Sequence, residues 1–256
     1  MKRLLLAALL LSGCASTPTL DLQPTFTEIV RDDARYLATA PLSWEKKEWG
    51  VLGVGALAVG ATILIDGDVR DSVEGASNDA TQSIARAVEP FGAEYSWGIL
   101  GGFYLAGRTN EKARAVAQDG FAASLIAAGT ITPILKATVG RKRPSQTEGT
   151  FALADGAASF PSGHTTQAFA IASVIASHYE SRWVKGTAYG LAALVAWARV
   201  ENNAHYASDV IAGAVIGTLI GRAVVRFNRE QRITVGVSSS LDPSAPGVAL
   251  TIRAAR

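Results

Sequence analysis

Residues 161–178 read PSGHTTQAFAIASVIASH. Ser162 is a natural N-cap, and Gly163 lets the backbone approach a ligand closely. The apolar run behind them predicts a helix from about 163 to 180. Free N–H groups at such a helix start suit an anion, and His164 falls in the first turn beside it. Alone, this is a capped helix with an incidental histidine. The stretches on either side change that reading.

Upstream, residues 140–161 are dominated by Gly, Pro, Ser, Thr and charge, with little periodicity, and read as a long loop. The helix before it ends in Lys136-x6-Arg143-Pro144, with Arg141 and Lys142 between, four cations in eight residues and no acid. The helix dipole alone favours cations there, but arginine forks and a lysine charge also suit a phosphate. Downstream comes Arg199-x5-His205-x3-Asp209. On a helix His205 and Asp209 share a face, so the carboxylate can hold one imidazole nitrogen and fix which one is free. Together these segments supply what phosphoryl transfer needs: positive charge around the equatorial oxygens, an in-line nucleophile and an acid for the leaving group.

The order K-x6-R-P, P-S-G-H, R-x5-H-x3-D over residues 136–209 resembles the three-part signature of the type 2 phosphatidic acid phosphatase superfamily, which includes class A acid phosphatases and vanadium haloperoxidases. The resemblance implies an all-α helical bundle of that type, from about 45 to 228. It implies a metal-independent phosphatase acting on a phosphomonoester or on a lipid phosphate or pyrophosphate. His205 would attack phosphorus to form a phosphohistidine, with Asp209 orienting it. His164 would protonate the leaving oxygen, then activate water. Lys136, Arg143 and Arg199 would hold the phosphate oxygens, with Ser162 and the Gly163 N–H completing the cradle. No cofactor and no metal are implied, and the sequence has no cluster at metal spacing. One departure is visible: the third motif is often Ser-Arg, and here Ala198 precedes Arg199. The alternatives are a vanadate-dependent haloperoxidase and a catalytically inactive envelope lipoprotein.

Around the motifs the periodicity predicts a short amphipathic helix over 25–39 and one, capped by Ser43, through Trp44 and Trp49 to about Ile65. Further helices are expected over 69–88, 94–107, 111–139 (interrupted near Pro133), 184–199 and 207–228. Gly213, Gly217 and Gly221 bare one helix face for close packing. Ile233, Val235 and Val237, then Val248, Leu250 and Ile252, alternate around a turn-rich stretch and predict a C-terminal β-hairpin over 231–256. His178 reads as a surface histidine in a helix's last turn. Asp66-Gly67-Asp68 reads as a helix end, and the tryptophans read as core or membrane-interface residues. Phe151, Leu153 and Phe160 of the long loop offer apolar contacts to a substrate.

The chain has 256 residues, 48% apolar and only 18% charged, against about 25% charged in soluble domains. That excludes a disordered chain, and the lack of a long basic run excludes a nucleic-acid-binding tail. The only cysteine is Cys14, so there is no internal disulfide. It follows Lys2, Arg3, an apolar run from Leu4 to Leu11, Ser12 and Gly13, in the form of an export signal. Leu11-Ser12-Gly13-Cys14 resembles a bacterial lipobox, which implies cleavage before Cys14 and lipidation there. The expected organisation is a signal peptide over 1–13, a tether over 14–24, a helical phosphatase domain over 25–230 and the hairpin. Residues 1–13 hold two of the 24 basic residues and no acid, leaving 22 against 22 acidic, so any positive field is local. Uncharged helix cores such as Trp49–Ile65 and Val210–Gly221 fall short of the roughly 20 apolar residues of a span. The expectation is a mostly water-exposed bundle, lipid-anchored in the cell envelope and facing the periplasm, by resemblance at the outer membrane. Its partners would be a phosphorylated small-molecule or lipid substrate and the membrane, but no nucleic acid. The alternative is an integral inner-membrane bundle.

Overall fold

Ala- and Gly-rich apolar segments bury best as closely packed helices, and the computed structural model shows such an assembly. It describes residues 25–39, 46–146, 158–231, 233–240 and 247–254. The expected signal peptide, Cys14, the tether, Ser43, Trp44, Phe151 and Leu153 lie outside the described residues. Among those residues the helices are α1 (Phe26–Thr39), α2 (Lys46–Ile63), α3 (Asp66–Ala76), α4 (Asp79–Val88), α5 (Glu94–Ala106), α6 (Glu111–Ile126), α7 (Thr132–Val139), α8 (Gly163–His178), α9 (Arg182–Glu201) and α10 (Ala207–Gln231). The helical unit runs from Phe26 to Asn228; the C-terminal strands belong to a second unit. In that unit Ile233–Ser240 and Gly247–Ala254 pair antiparallel, with Ile233 opposite Ala254.

Two boundaries differ from expectation. The single helix expected over 69–88 is split at Ser77-Asn78. Asn78 Oδ1 accepts the N–H groups of Ala80 (3.0 Å) and Thr81 (3.2 Å), and Thr81 Oγ1 accepts the Asn78 N–H. This reciprocal cap starts a new helix. At Pro133 the helix is not interrupted. Residues Ala127–Ile131 widen into a π turn, and Glu111–Val139 continues as one helix of 29 residues. The hydroxyls of Thr130 and Thr132 donate to the carbonyls of Leu125 (3.0 Å) and Ala127 (2.9 Å), satisfying acceptors around the proline.

Helix α8 is the centre of the packing. Its Ala170 and Val174 meet Val116, Ala123 and Ile126 of α6 and Val224 and Val225 of α10. Its Ala168 and Ala172 meet Ala192 and Val195 of α9. The glycine stripe of α10 lies directly on α8. A Cβ on Gly217 would stand 2.4 Å from the Thr166 carbonyl oxygen, and one on Gly221 would stand 2.6 Å from that of Ala170.

Whole helices, unlike their uncharged cores, reach membrane-spanning length. Glu111–Val139 (29 residues) and Ala207–Arg229 (23 residues) are long and apolar enough to cross, and Leu52–Ile63 with Asp66–Ala76 forms a bent pair at 64°. This corrects the expectation of cores too short to span, and the helices fit the integral alternative. Leu57, Leu64 and Trp183 are all at least 74% exposed. Trp49 and Trp97 are exposed too, and Trp197 is half-buried, so none of the described tryptophans is fully buried in the core.

Candidate active site

Helix α9 ends with Arg199 in its last turn, and the chain reverses through Asn202–Tyr206 into α10. Asn203 takes the left-handed conformation (φ 51°), which asparagine tolerates. The N–H groups of Ala204 and His205 both donate to the Arg199 carbonyl, at 3.1 and 3.2 Å. His205 therefore lies in the turn before α10, and only Asp209 lies in the helix. The expected i,i+4 pair forms as a loop-to-helix contact, with Nδ1 of His205 3.5 Å from Asp209 Oδ2, long for a hydrogen bond.

Asp209 is fully buried and held from several sides. Oδ1 accepts from Arg141 (2.7 Å), and Oδ2 accepts from the Ser159 hydroxyl (2.6 Å) and the Tyr206 N–H (3.0 Å). The Asp209 carbonyl accepts from the Ser162 N–H at 3.0 Å, tying α10 to the start of α8. Ser162 stands at the N-cap position but makes no side-chain cap; its hydroxyl instead accepts from Thr165 Oγ1 at 3.1 Å. A Cβ on Gly163 would meet only Thr132 Cγ2, at 3.7 Å, so its backbone faces open space.

The cations converge from three elements. Lys136 Nζ, late in α7, donates to the Ala158 carbonyl and lies 3.5 Å from that of Ser159. The charges of Lys136, Arg143 and Arg199 lie close enough to act on one another. His205 is 3% exposed. Burial pushes its pKa down to about 4, Asp209 opposes this, and the charges of Lys136 and Arg199 add to it. His205 is thus neutral at neutral pH, with its nitrogen lone pair available. His164, one-third exposed, is also lowered, first by burial and then by Arg199, with Glu89 pulling the other way. All eight expected residues of the site, Lys136, Arg143, Ser162, Gly163, His164, Arg199, His205 and Asp209, are brought to one end of the bundle. Among the described residues, no group of three or more His, Cys, Asp or Glu side chains is placed to hold a metal ion.

Residues 120–233 match the PAP2 superfamily model.

The matched PAP2 stretch contains all three motifs. A lipid A 1-phosphatase of Porphyromonas gingivalis is 35% identical over 122 residues, 47% of this chain and 25% of that protein. A lipid A 4'-phosphatase of the same organism is 29% identical over 87 residues, 34% of this chain and 37% of that protein. The chain thus spans about a quarter and just over a third of these relatives' lengths. Among solved structures, LpxE of Aquifex aeolicus superposes with a TM-score of 0.51 at 24% identity, covering 62% of this chain and 93% of that one. A transmembrane PAP2-type phosphatidylglycerolphosphate phosphatase of Bacillus subtilis superposes with a TM-score of 0.55 at 18% identity, covering 73% and 98%. The helical unit has the fold of these two structures.

Around this centre lie residues the motifs do not reveal. Arg141, read with the phosphate cations, is 2% exposed and committed elsewhere: to Asp209, to Asp66 (2.8 Å) and to the Ser208 hydroxyl (2.6 Å), over the ring of Tyr206. Asp66, read only as a helix end, is buried and also accepts the Ser208 N–H at 2.9 Å. Glu89, on the 3₁₀ turn Glu89–Gly92, is bonded to Arg199 and to Asn202 Nδ2 (2.6 Å), and lies 3.8 Å from His164 Nε2. Gly92 lets this turn come close, since a Cβ there would stand 2.8 Å from the Cβ of His164. His178 ends α8 as expected, but it is not a plain surface residue. Its Nε2 lies 2.7 Å from Asp119 Oδ2, and Asn228 links Asp119 to Asp33.

Proposed function

We propose that the chain is a membrane-bound lipid phosphatase that works through a phosphohistidine on His205. The observation that carries this reading is the neutral, buried imidazole of His205, backed by Asp209 and facing the converged charges of Lys136, Arg143 and Arg199. Nε2 of His205 attacks phosphorus, and the bond from phosphorus to the leaving oxygen breaks. His164, in the first turn of α8, gives that oxygen its proton. The three cations, the Ser162 hydroxyl and the Gly163 N–H stabilise the equatorial oxygens. Water then attacks the phosphohistidine, His164 takes a proton from it, and inorganic phosphate leaves. No metal ion enters these steps.

A lipid substrate is supported by the two lipid A phosphatases the chain resembles and by its span-length helices. Helices α6–α7 and α10 cross the membrane, Cys14 carries a lipid, and the site faces the periplasm. The test is phosphate release from phosphatidic acid by the detergent-solubilised chain with a chelator present, wild type against His205→Ala. The expected result is chelator-insensitive turnover, an acid-labile phosphoenzyme, and loss of both in the variant with the fold retained. Undiminished turnover by the variant would overturn the assignment of the nucleophile.

A further inference from the structure

A recess of about 250 Å³ opens beside His164 and Gly163. Neither His205 nor any of Lys136, Arg143 and Arg199 lines it. Its wall is mostly apolar, formed by Trp97 of α5, Leu125 of α6, and Ala128 and Gly129 of the π turn. Two side chains break that character. Ser124 and Gln167 both line the recess and are only 1% and 4% exposed. Neither Ser124 Oγ nor Gln167 Nε2 has a hydrogen-bond partner among the described residues.

Ser124 is unlike the other described helical serines, each of which has a hydrogen-bond partner. Ser72, Ser83 and Ser177 each donate to the carbonyl four residues earlier, at 2.7, 2.6 and 2.7 Å. That back-bond is the ordinary resting place for a hydroxyl on a helix. A buried amide or hydroxyl without a partner keeps the full cost of leaving water, so two on one apolar wall call for a ligand that satisfies both. The π turn supplies the geometry, since such turns recur at functional sites.

We propose that this recess is a leaving-group subsite, and that Ser124 and Gln167 are its specificity-determining residues. The inference rests on the phosphatase reading, in which His164 protonates the departing oxygen. The group beyond that oxygen must then lie against His164, where the recess is. Its volume holds about eight water-sized groups, enough for the head-proximal atoms of a lipid but not for its chains. Gln167 Nε2 donates to an oxygen acceptor close to the phosphorylated carbon, the Ser124 hydroxyl makes a second bond, and the apolar wall takes the start of an acyl chain. The ligand class is an acylated polyol phosphate, built on glycerol or on a sugar, in preference to an unadorned alkyl phosphate.

The experiment measures kcat/KM of the full chain in detergent for three substrates: phosphatidic acid, an acylated glucosamine 1-phosphate, and dodecyl phosphate. The readout is the selectivity ratio of each acylated substrate over dodecyl phosphate in wild type, Ser124→Ala and Gln167→Met. Losing one satisfied buried hydrogen bond is expected to lower the ratio about tenfold in each variant. Ser124→Ala removes a single atom and keeps the packing, so it reports even if Gln167→Met folds poorly. A fall in the glyceryl ratio alone, or in the glucosaminyl ratio alone, identifies the polyol. An active wild type whose ratios are unmoved in both variants overturns the subsite and leaves the phosphatase reading standing. A wild type that hydrolyses none of the three overturns both.

Discussion

Arg141 and Asp209 meet at 2.7 Å with side chains only 2% and 0% exposed. A buried carboxylate that loses its cation keeps its desolvation cost without the attraction that offset it. Arg141→Met should therefore destabilise the fold by about 3 kcal/mol, at the lower end for a broken buried pair because Ser159 and the Tyr206 N–H still hold Asp209. Thermal unfolding in detergent checks this. A Tm within a degree or so of wild type would mean that Arg141 contributes little.

Glu89 accepts from Arg199 Nη1 and opposes the lowering of the His164 pKa by burial and Arg199. Glu89→Gln should free Arg199 for phosphate, so inorganic phosphate should inhibit several-fold more tightly. It should also lower the pKa of His164 further, moving the basic limb of the kcat/KM profile to lower pH. A shift of that limb to higher pH would contradict the role given to Glu89.

His205 titrates near 4 when folded, against 6.5 as an unperturbed group. The unfolded chain takes up this proton first, so stability from His205 is fully present above about pH 6.5. It falls as the pH drops towards 4 and changes no further below that. The loss amounts to about 3 kcal/mol. Unfolding free energies of wild type and His205→Asn, compared across that window, should converge towards pH 4. Parallel curves would place the imidazole in a less buried setting.

A methyl group on Gly217 would strike the Thr166 carbonyl. Gly217→Ala should cost about 1–3 kcal/mol by overpacking and should lower turnover as well, since α8 carries His164 and α10 carries Asp209. Gly186→Ala is the control, because a Cβ there meets nothing within 4 Å. Equal Tm values for the two variants would refute the close approach.

The Cys14→Ser chain should stay with the membrane after an alkaline carbonate wash, held by α6–α7 and α10. Release into the wash would mean that the lipid was the sole attachment.

What could be read from the sequence was local. Ser162, Gly163 and His164 are adjacent, and Arg199, His205 and Asp209 lie within eleven positions, so their spacing alone pointed to one chemistry. The partners of those residues were not local. Asp66 reaches Arg141 across 75 positions and Glu89 reaches Arg199 across 110, and no periodicity connects them. The four cations from Lys136 to Arg143 looked alike because their acids lie elsewhere; only the packing separates Arg141, neutralised from behind, from the others. Uncharged cores understate span length, because isolated charges such as Lys136 sit inside helices that continue past them.

The glycine stripe of α10 has a mechanical consequence. Where backbone rests on backbone there is no side chain to change rotamer, so α8 and α10 move as one body. His164 on one and Asp209 on the other therefore keep a fixed spacing. Any rearrangement is left to the π turn and α5, which face the recess and carry none of the eight residues of the candidate site. A scaffold divided in this way lets the lining of the recess change while His164 and Asp209 keep their places.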